Sequence, residues 1–355
     1  MQLPSTDSQR QQLDPQRQQL DPRRQRRLAA KYRRRRTIVA LVAVLVIAVP
    51  VTIVAAVNGL KANITSSPLR AGGGEVPEKI TNELNVLILG SDTRELDGED
   101  YGAADGARSD AMIVAHISDD SSRVDAVQIP RDTMIDMPAC EDTGSGASAA
   151  QRSMINSALN QGPACSVTAA EELTGVRVDH FIEVNFDGFA TIVDALDGII
   201  VDLDEPLHDD KANLDLPAGT QTLGGTDALA LARTRHAVGD GSDISRMGNQ
   251  QMVMNSIIDR AKSSHTLSRP DRMYSFLDAV TSSLRVDEGL DSISALGSLA
   301  STVSSVPEDS ITFAIMPWQP APDNQNRVVK SPAAYDVFSA ITADEPIDEL
   351  VDLVD

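Results

Sequence analysis

Residues 37–57 read TIVALVAVLVIAVPVTIVAAV, a run of 21 residues without a charge. As a helix rising about 1.5 Å per residue it would cross a ~30 Å hydrocarbon core, and Pro50 is tolerated in such a helix. A cleavable signal peptide fits less well, because the run is too long and no A-x-A site follows it. Nine Lys/Arg lie between Arg23 and Arg36. The positive-inside rule therefore predicts a single-pass type II protein of the cell membrane, with residues 1–36 in the cytoplasm and the rest extracytoplasmic.

That orientation divides the charge. Residues 1–36 hold 11 Lys/Arg and 3 Asp, which leaves 20 basic and 49 acidic residues for the remainder. A domain with a balance of −29 argues against nucleic acid as a partner. An anionic substrate would need a local cationic cluster or a metal ion. The tail repeats QRQQLDP at Gln9–Pro15 and Gln16–Pro22; nearly devoid of apolar residues, it is expected to be disordered. Residues 58–81, with Gly72-Gly73-Gly74 and several Ser and Pro, read as a linker. Cys140 and Cys165 both fall on the outer side, where an oxidising compartment favours a disulfide over two separate thiols.

The folded domain is expected over residues 82–345. Leu84–Leu89, Ala111–Ile117, Arg123–Ile129, Val178–Val184, Ile199–Leu203 and Ile311–Met316 have strand patterns. Between and after them, Met154–Asn160, Thr168–Leu173, Phe186–Leu196, Gly225–Arg235, Ile244–Lys262, Arg272–Leu284 and Asp291–Val303 read as helices. Alternation of this kind indicates an α/β sandwich.

Chemistry concentrates at strand ends and helix ends. Gly90-Ser91-Asp92-Thr93-Arg94 follows a buried strand, where open α/β sheets bind ligands. Arg108-Ser109-Asp110 precedes the next strand, so Asp92 and Asp110 could share one Mg²⁺ (or Mn²⁺) if the two loops meet. Arg131 follows Ile129-Pro130 and has Asp132 beside it. Arg233 and Arg235 are two apart; in a continuous helix they would diverge by about 200°, so they converge on one ligand only if the helix ends there. Arg246 and Gln250 are four apart on one helix face, close behind Asp243. Taken singly, each arginine reads as a solvated surface group and each aspartate as a turn cap. Together they suit a diphosphate held by bidentate guanidiniums.

Seven stretches in order carry a resemblance to a known family: NVLILGSDTR (85–94), RSDAMIVAHI (108–117), IPRDT (129–133), MINSALNQG (154–162), VDALDGIIVDL (193–203), LPAGTQTLGGTDALALARTRH (216–236) and DISRMGNQQ (243–251). The chain resembles the LytR–CpsA–Psr family of cell-wall glycopolymer ligases. The resemblance implies a three-layer α/β/α sandwich with a central mixed sheet and an apolar tunnel for a polyprenyl tail. It implies a phosphotransferase that moves a glycopolymer phosphate from a polyprenyl-pyrophosphate carrier onto peptidoglycan. It matches Asp92 and Asp110 to metal-linked catalytic aspartates. Arg94, Arg131, Arg233, Arg235, Arg246 and Gln250 match pyrophosphate or head-group contacts, and Asp243 matches a residue supporting the arginines from behind. Transfer to a protein acceptor, hydrolysis of the lipid diphosphate and a non-catalytic envelope sensor are the competing functions. Asp197 stands where the family has Gly and is expected to affect a turn. His116, His180, His208 and His265 show no metal-ligand spacing and read as structural or exposed. Asp209-Asp210 reads as a solvated turn, and Trp318 as part of a surface loop.

Overall fold

The computed structural model describes residues 31, 44, 46, 48, 50–91, 109–210, 212–234, 243–263 and 269–351, except for the side chains of 243–246, 270, 271 and 308. Two units are distinguished, Met1–Asn58 and Gly59–Asp355. In the first, residues 50–58 are helical. Among the described residues no helix is long and apolar enough to cross a membrane; much of the expected span 37–57, and nearly all of the tail, lies outside them.

The second unit is built on seven strands: β1 (Thr65–Ser67), β2 (Leu84–Ser91), β3 (Ser109–Ile117), β4 (Val124–Gln128), β7 (His180–Asn185), β12 (Leu284–Asp287) and β13 (Ile311–Ile315). The remaining strands form two-stranded pairs: β5 (Met134–Met137) with β6 (Gln151–Met154), β8 (Ile199–Leu203) with β11 (Gly219–Leu223), β9 (Leu207–Asp209) with β10 (Leu214–Leu216), and β14 (Trp318–Ala321) with β15 (Asn324–Lys330). The helices are α1 (Pro163–Thr174), α2 (Phe186–Ala195), α3 (Gly225–Arg233), α4 (Asp243–Lys262), α5 (Pro270–Ser283), α6 (Ile293–Ser305) and α7 (Pro332–Thr342).

The large sheet runs β1-β12-β7-β2-β3-β4-β13. It is mixed: β2 pairs parallel to β7 and antiparallel to β3, and β4 pairs antiparallel to β3 and parallel to β13. Side chains alternate between the two faces. Leu87 and Leu89 of β2 join Met112 and Val114 of β3 against α1 and α7. Val86 and Ile88 face the other way, with Ile117, Val124 and residues of α6. Helices therefore occupy both faces, which is why these strands carry long apolar runs. A separate apolar cluster joins α2, α3 and α4 to the small β8–β11 and β9–β10 pairs.

Several expectations shift. Residues 58–81, expected as a linker, contain β1, which pairs with β12, and Ala71 is buried. Arg70 binds Glu171 at 2.6 Å and the Val178 carbonyl at 2.6 Å. Gly73 lies so close to the Ala139 carbonyl that a Cβ would sit 1.8 Å from its oxygen, so this glycine serves close packing as well as a turn. Thr168–Leu173 extends back to Pro163, 154–160 is a 3₁₀ stretch at Ile155–Gln161, and Trp318 begins a strand. Cys140 and Cys165 are joined as a disulfide, tying the chain after β5 to the first turn of α1. Asp197 sits at φ 60° beside Gly198 and pairs with Arg272, a turn feature as expected.

Candidate functional site

The ladder between β2 and β3 is regular until its last pairs. Gly90 faces Ala111, but Ser91 faces Ser109, so Asp110 is an extra residue on β3. A bulge of this kind turns two successive side chains toward one side, and both Asp110 and Ala111 line a cavity of about 490 Å³. Gly90 lines it too, and a Cβ there would press to 3.2 Å from that of Ala111. The cavity lies between the sheet and helices α2, α3 and α4.

Its polarity follows the strands. Asp110 and Asn185 lie at the strand ends, and two residue pairs further along the strands the lining is Ile88 and Ile113; Asp209, Arg233 and Gln250 add polar groups, and Phe189, Leu229, Val253 and Met254 apolar ones. Arg131, just past β4, donates from Nη1 to Asp110 Oδ1 at 2.7 Å. Both side chains are about one-fifth exposed, at 20% and 21%. The Asn156 N–H donates to the Arg131 carbonyl at 3.4 Å, so the MINSALNQG stretch supports the arginine's backbone.

α2 begins at Phe186, and the Asn185 side chain caps it by accepting from the Gly188 N–H at 2.7 Å. That places Phe186 under Arg233, whose guanidinium carbon lies 4.6 Å from the ring centroid, within cation–π range. α3 begins with the Gly225 N–H donating to Asp194 Oδ1 at 2.7 Å and ends at Arg233; Thr234 is already extended, with ψ 141°. The helix end that the two arginines require is present. Gln250 accepts from Gln128 Nε2 at 2.5 Å and donates to the Ala232 carbonyl at 3.2 Å. Its amide is held facing the last turn of α3, with one N–H left for a ligand.

The cavity thus brings Asp110, Arg233 and Gln250 together in its lining, and Arg131 joins them through its ion pair with Asp110. Asp92, Arg94 and Arg235 lie outside the described residues, as do the side chains of Asp243 and Arg246. Positions 243 and 246 are helical, and 246 stands one turn before Gln250. Four participants were not singled out from sequence: Gln128, Phe186, Thr234 and Asp209. The last corrects an expectation, for Asp209 is not a solvated turn. It is 6% exposed, lines the cavity and accepts a hydrogen bond from Thr234. The alternation Leu207-x-Asp209, inward at both ends, was its available signal.

Among the described residues no group of three His, Cys, Asp or Glu is placed to hold a metal ion. Among the described residues Asp110 and Asp209 are the carboxylates that line the cavity, and Asp110 is the one paired with Arg131. The described donor set does not complete a divalent-cation site without Asp92 or substrate oxygens.

The model of the LytR_cpsA_psr family matches residues 55–342. The chain belongs to the LytR_cpsA_psr family. It is 31% identical over 313 residues to the cell wall biosynthesis protein LcpA of Corynebacterium glutamicum, covering 79% of this chain and 59% of that protein. The chain thus spans little more than half the length of this family member. The polyisoprenyl-teichoic acid–peptidoglycan teichoic acid transferase TagT of Bacillus subtilis is 29% identical over 68% of this chain and 70% of its own. A LytR-Csp2A-Psr enzyme from Actinomyces oris shares the fold, with TM-score 0.59 and 24% identity over 78% of this chain and 97% of that one.

Proposed function

We propose that the protein is a phosphotransferase of envelope assembly, moving a glycopolymer phosphate from a polyprenyl-pyrophosphate carrier onto peptidoglycan. One observation carries the reading: a cavity of about 490 Å³ with a largely apolar lining also holds Arg233 and Asp110, the ion-pair partner of Arg131. An isoprenoid tail needs the apolar part, and its diphosphate needs the cations. The names of relatives such as TagT support the same chemistry.

In this reading a sugar hydroxyl of peptidoglycan attacks the phosphorus that bears the glycan. A new O–P bond forms, the bond to the polyprenyl phosphate breaks, and that phosphate departs with the electron pair. The attacking hydroxyl gives up its proton, for which Asp92 is our candidate acceptor. Arg131, steadied by Asp110, and Arg233, steadied over Phe186, hold the diphosphate oxygens as charge shifts between them. Arg235, Arg246 and Arg94 would complete the cationic rim, with Asp243 behind them. Asp92 and Asp110 are the residues we propose would hold a Mg²⁺ (or Mn²⁺), which when bound would neutralise phosphate charge.

We place the domain outside the cell membrane, anchored by residues 37–57. The uncharged run and its basic flank support this, as does a disulfide, which persists in oxidising compartments.

The test incubates the full chain with a labelled glycan-diphosphate-polyprenol and peptidoglycan. Polymer linked through a phosphodiester, with polyprenyl phosphate released, is expected. Arg233→Ala should slow the rate about 10²–10³-fold with the melting temperature unchanged. Wild-type turnover by that variant refutes the assignment, and free glycan phosphate as the sole product would make the protein a hydrolase.

A further inference from the structure

The β9–β10 pair points four side chains inward: Leu207, Asp209, Leu214 and Leu216, each 6% exposed or less. Three are leucines in the cluster beneath α3. The fourth is a carboxylate, and a buried carboxylate is costly unless it is paired. Asp209 Oδ1 accepts from the Ala212 N–H at 3.3 Å, which closes the local turn. Oδ2 accepts from the Thr234 hydroxyl, itself on a residue only 1% exposed.

Thr234 is the residue at which α3 stops. Its N–H still donates to the Ala230 carbonyl at 3.0 Å, but its ψ of 141° takes the chain out of the helix. A threonine inside a helix commonly turns its hydroxyl back to the carbonyl four residues earlier. Here the hydroxyl goes to a different element. The neighbours of Thr234 in sequence are Arg233 and Arg235. Two residues that far apart in a helix point about 200° away from each other. A helix that continued past Thr234 would keep them apart, and α3 stops at this residue.

We infer that Asp209 is a positioning residue for the diphosphate site, acting through Thr234 to fix where α3 ends and hence the direction of Arg233, the last residue of the helix. This rests on the proposed function and deepens it. Asp209 and Arg233 line the same cavity, so the hydrogen bond lies beside the group that it orients. The hairpin, otherwise remote in sequence from the arginines, thereby becomes part of the head-group machinery.

The test compares full-length wild type with Asp209→Ala, Thr234→Val, the double variant and Thr234→Ser. It reads melting temperature, transfer rate, and affinity for polyprenyl diphosphate against polyprenol of the same length. Asp209→Ala and Thr234→Val should each slow transfer about 10–100-fold. The double variant should be no slower than the worse single, because both remove one interaction. Thr234→Ser should restore most of the rate. Affinity for the diphosphate should fall while that for the alcohol stays constant. If the two single losses multiply in the double variant, or if both affinities fall together with the melting temperature, Asp209 only holds the hairpin together and the inference is wrong. A preference for diphosphate that survives both single variants also overturns it while leaving the proposed function standing. A wild-type protein that does not prefer diphosphate over alcohol removes the proposed function itself.

Discussion

Strands β2, β3 and β4 bury polar groups at both ends, and the two ends differ in kind. At one end are Gly90, Asp110 and, just past β4, Arg131, beside the cavity. At the other, and on the opposite face, His116 is fully buried between Asn85 Oδ1 at 2.8 Å and Asp344 Oδ1 at 3.1 Å. Arg123 bridges Asp125 at 2.6 Å and Asp344 at 2.8 Å. Both ends hold arginine and aspartate in close contact. Asp344, two residues beyond α7, helps fill the far end, and its charges answer one another. The near end adjoins the cavity that Asp110 lines, and the Arg131 side chain paired with it is 20% exposed. Paired charge alone does not distinguish a site from a structural clasp; room for a ligand does.

Removing the arginine at the closed end tests this most strongly. Arg123→Ala leaves Asp125 buried without its partner, a loss of about 3–5 kcal/mol. Chemical denaturation should show it, while the transfer rate per folded molecule stays at the wild-type value. A variant that is stable but inactive would mean that the far end takes part in function. The converse change fills the open end. Ala230→Phe projects a ring into the cavity from α3 and should weaken carrier binding about tenfold, with stability changed by less than about 1 kcal/mol because the ring enters space already present. A large stability loss would show that the cavity wall is as tightly packed as the closed end.

The smallest effect is a pH dependence. Burial lowers the pKa of His116 below 6.5, against the pull of Asp344 and Asp125 and together with the push of Arg123. The unfolded chain then takes up the proton first, so stability present above pH 6.5 is lost as pH falls through 6.5 toward the folded value. Asp125 carries the opposite sign. Burial raises its pKa above 3.8 despite Arg123, so folding is favoured as pH falls through its folded value toward 3.8. The His116 slope, at most about 1.4 kcal/mol per pH unit for one group, should flatten in His116→Gln. The pH profile of transfer should not move. If it does, the two ends communicate.

The sheet was legible in the sequence where burial on both faces leaves long apolar runs, as at Leu84–Leu89 and Ala111–Ile117. The arginines were legible by type and order; the helix read as running to Arg235 stops at Arg233, the kind of break that convergence of the two requires. What stayed hidden depends on contacts between distant segments. Asp209 lies in a polar Asp-Asp pair that resembles a solvated turn until Thr234 is placed against it. Residues 70–74 have the composition of a linker, yet Gly73 is required by the Ala139 backbone and Arg70 is held by Glu171. Gln128 ends an apolar strand, and only the approach of α4 gives its amide a task.

The extra residue at position 110 has a genetic corollary. A one-codon deletion there would let Ser109 and Ala111 close into an unbroken ladder opposite Ser91 and Gly90. The sheet would register little injury, and the protein would still accumulate. It would have lost the carboxylate that steadies Arg131. Regularity, at this one point, is the defect.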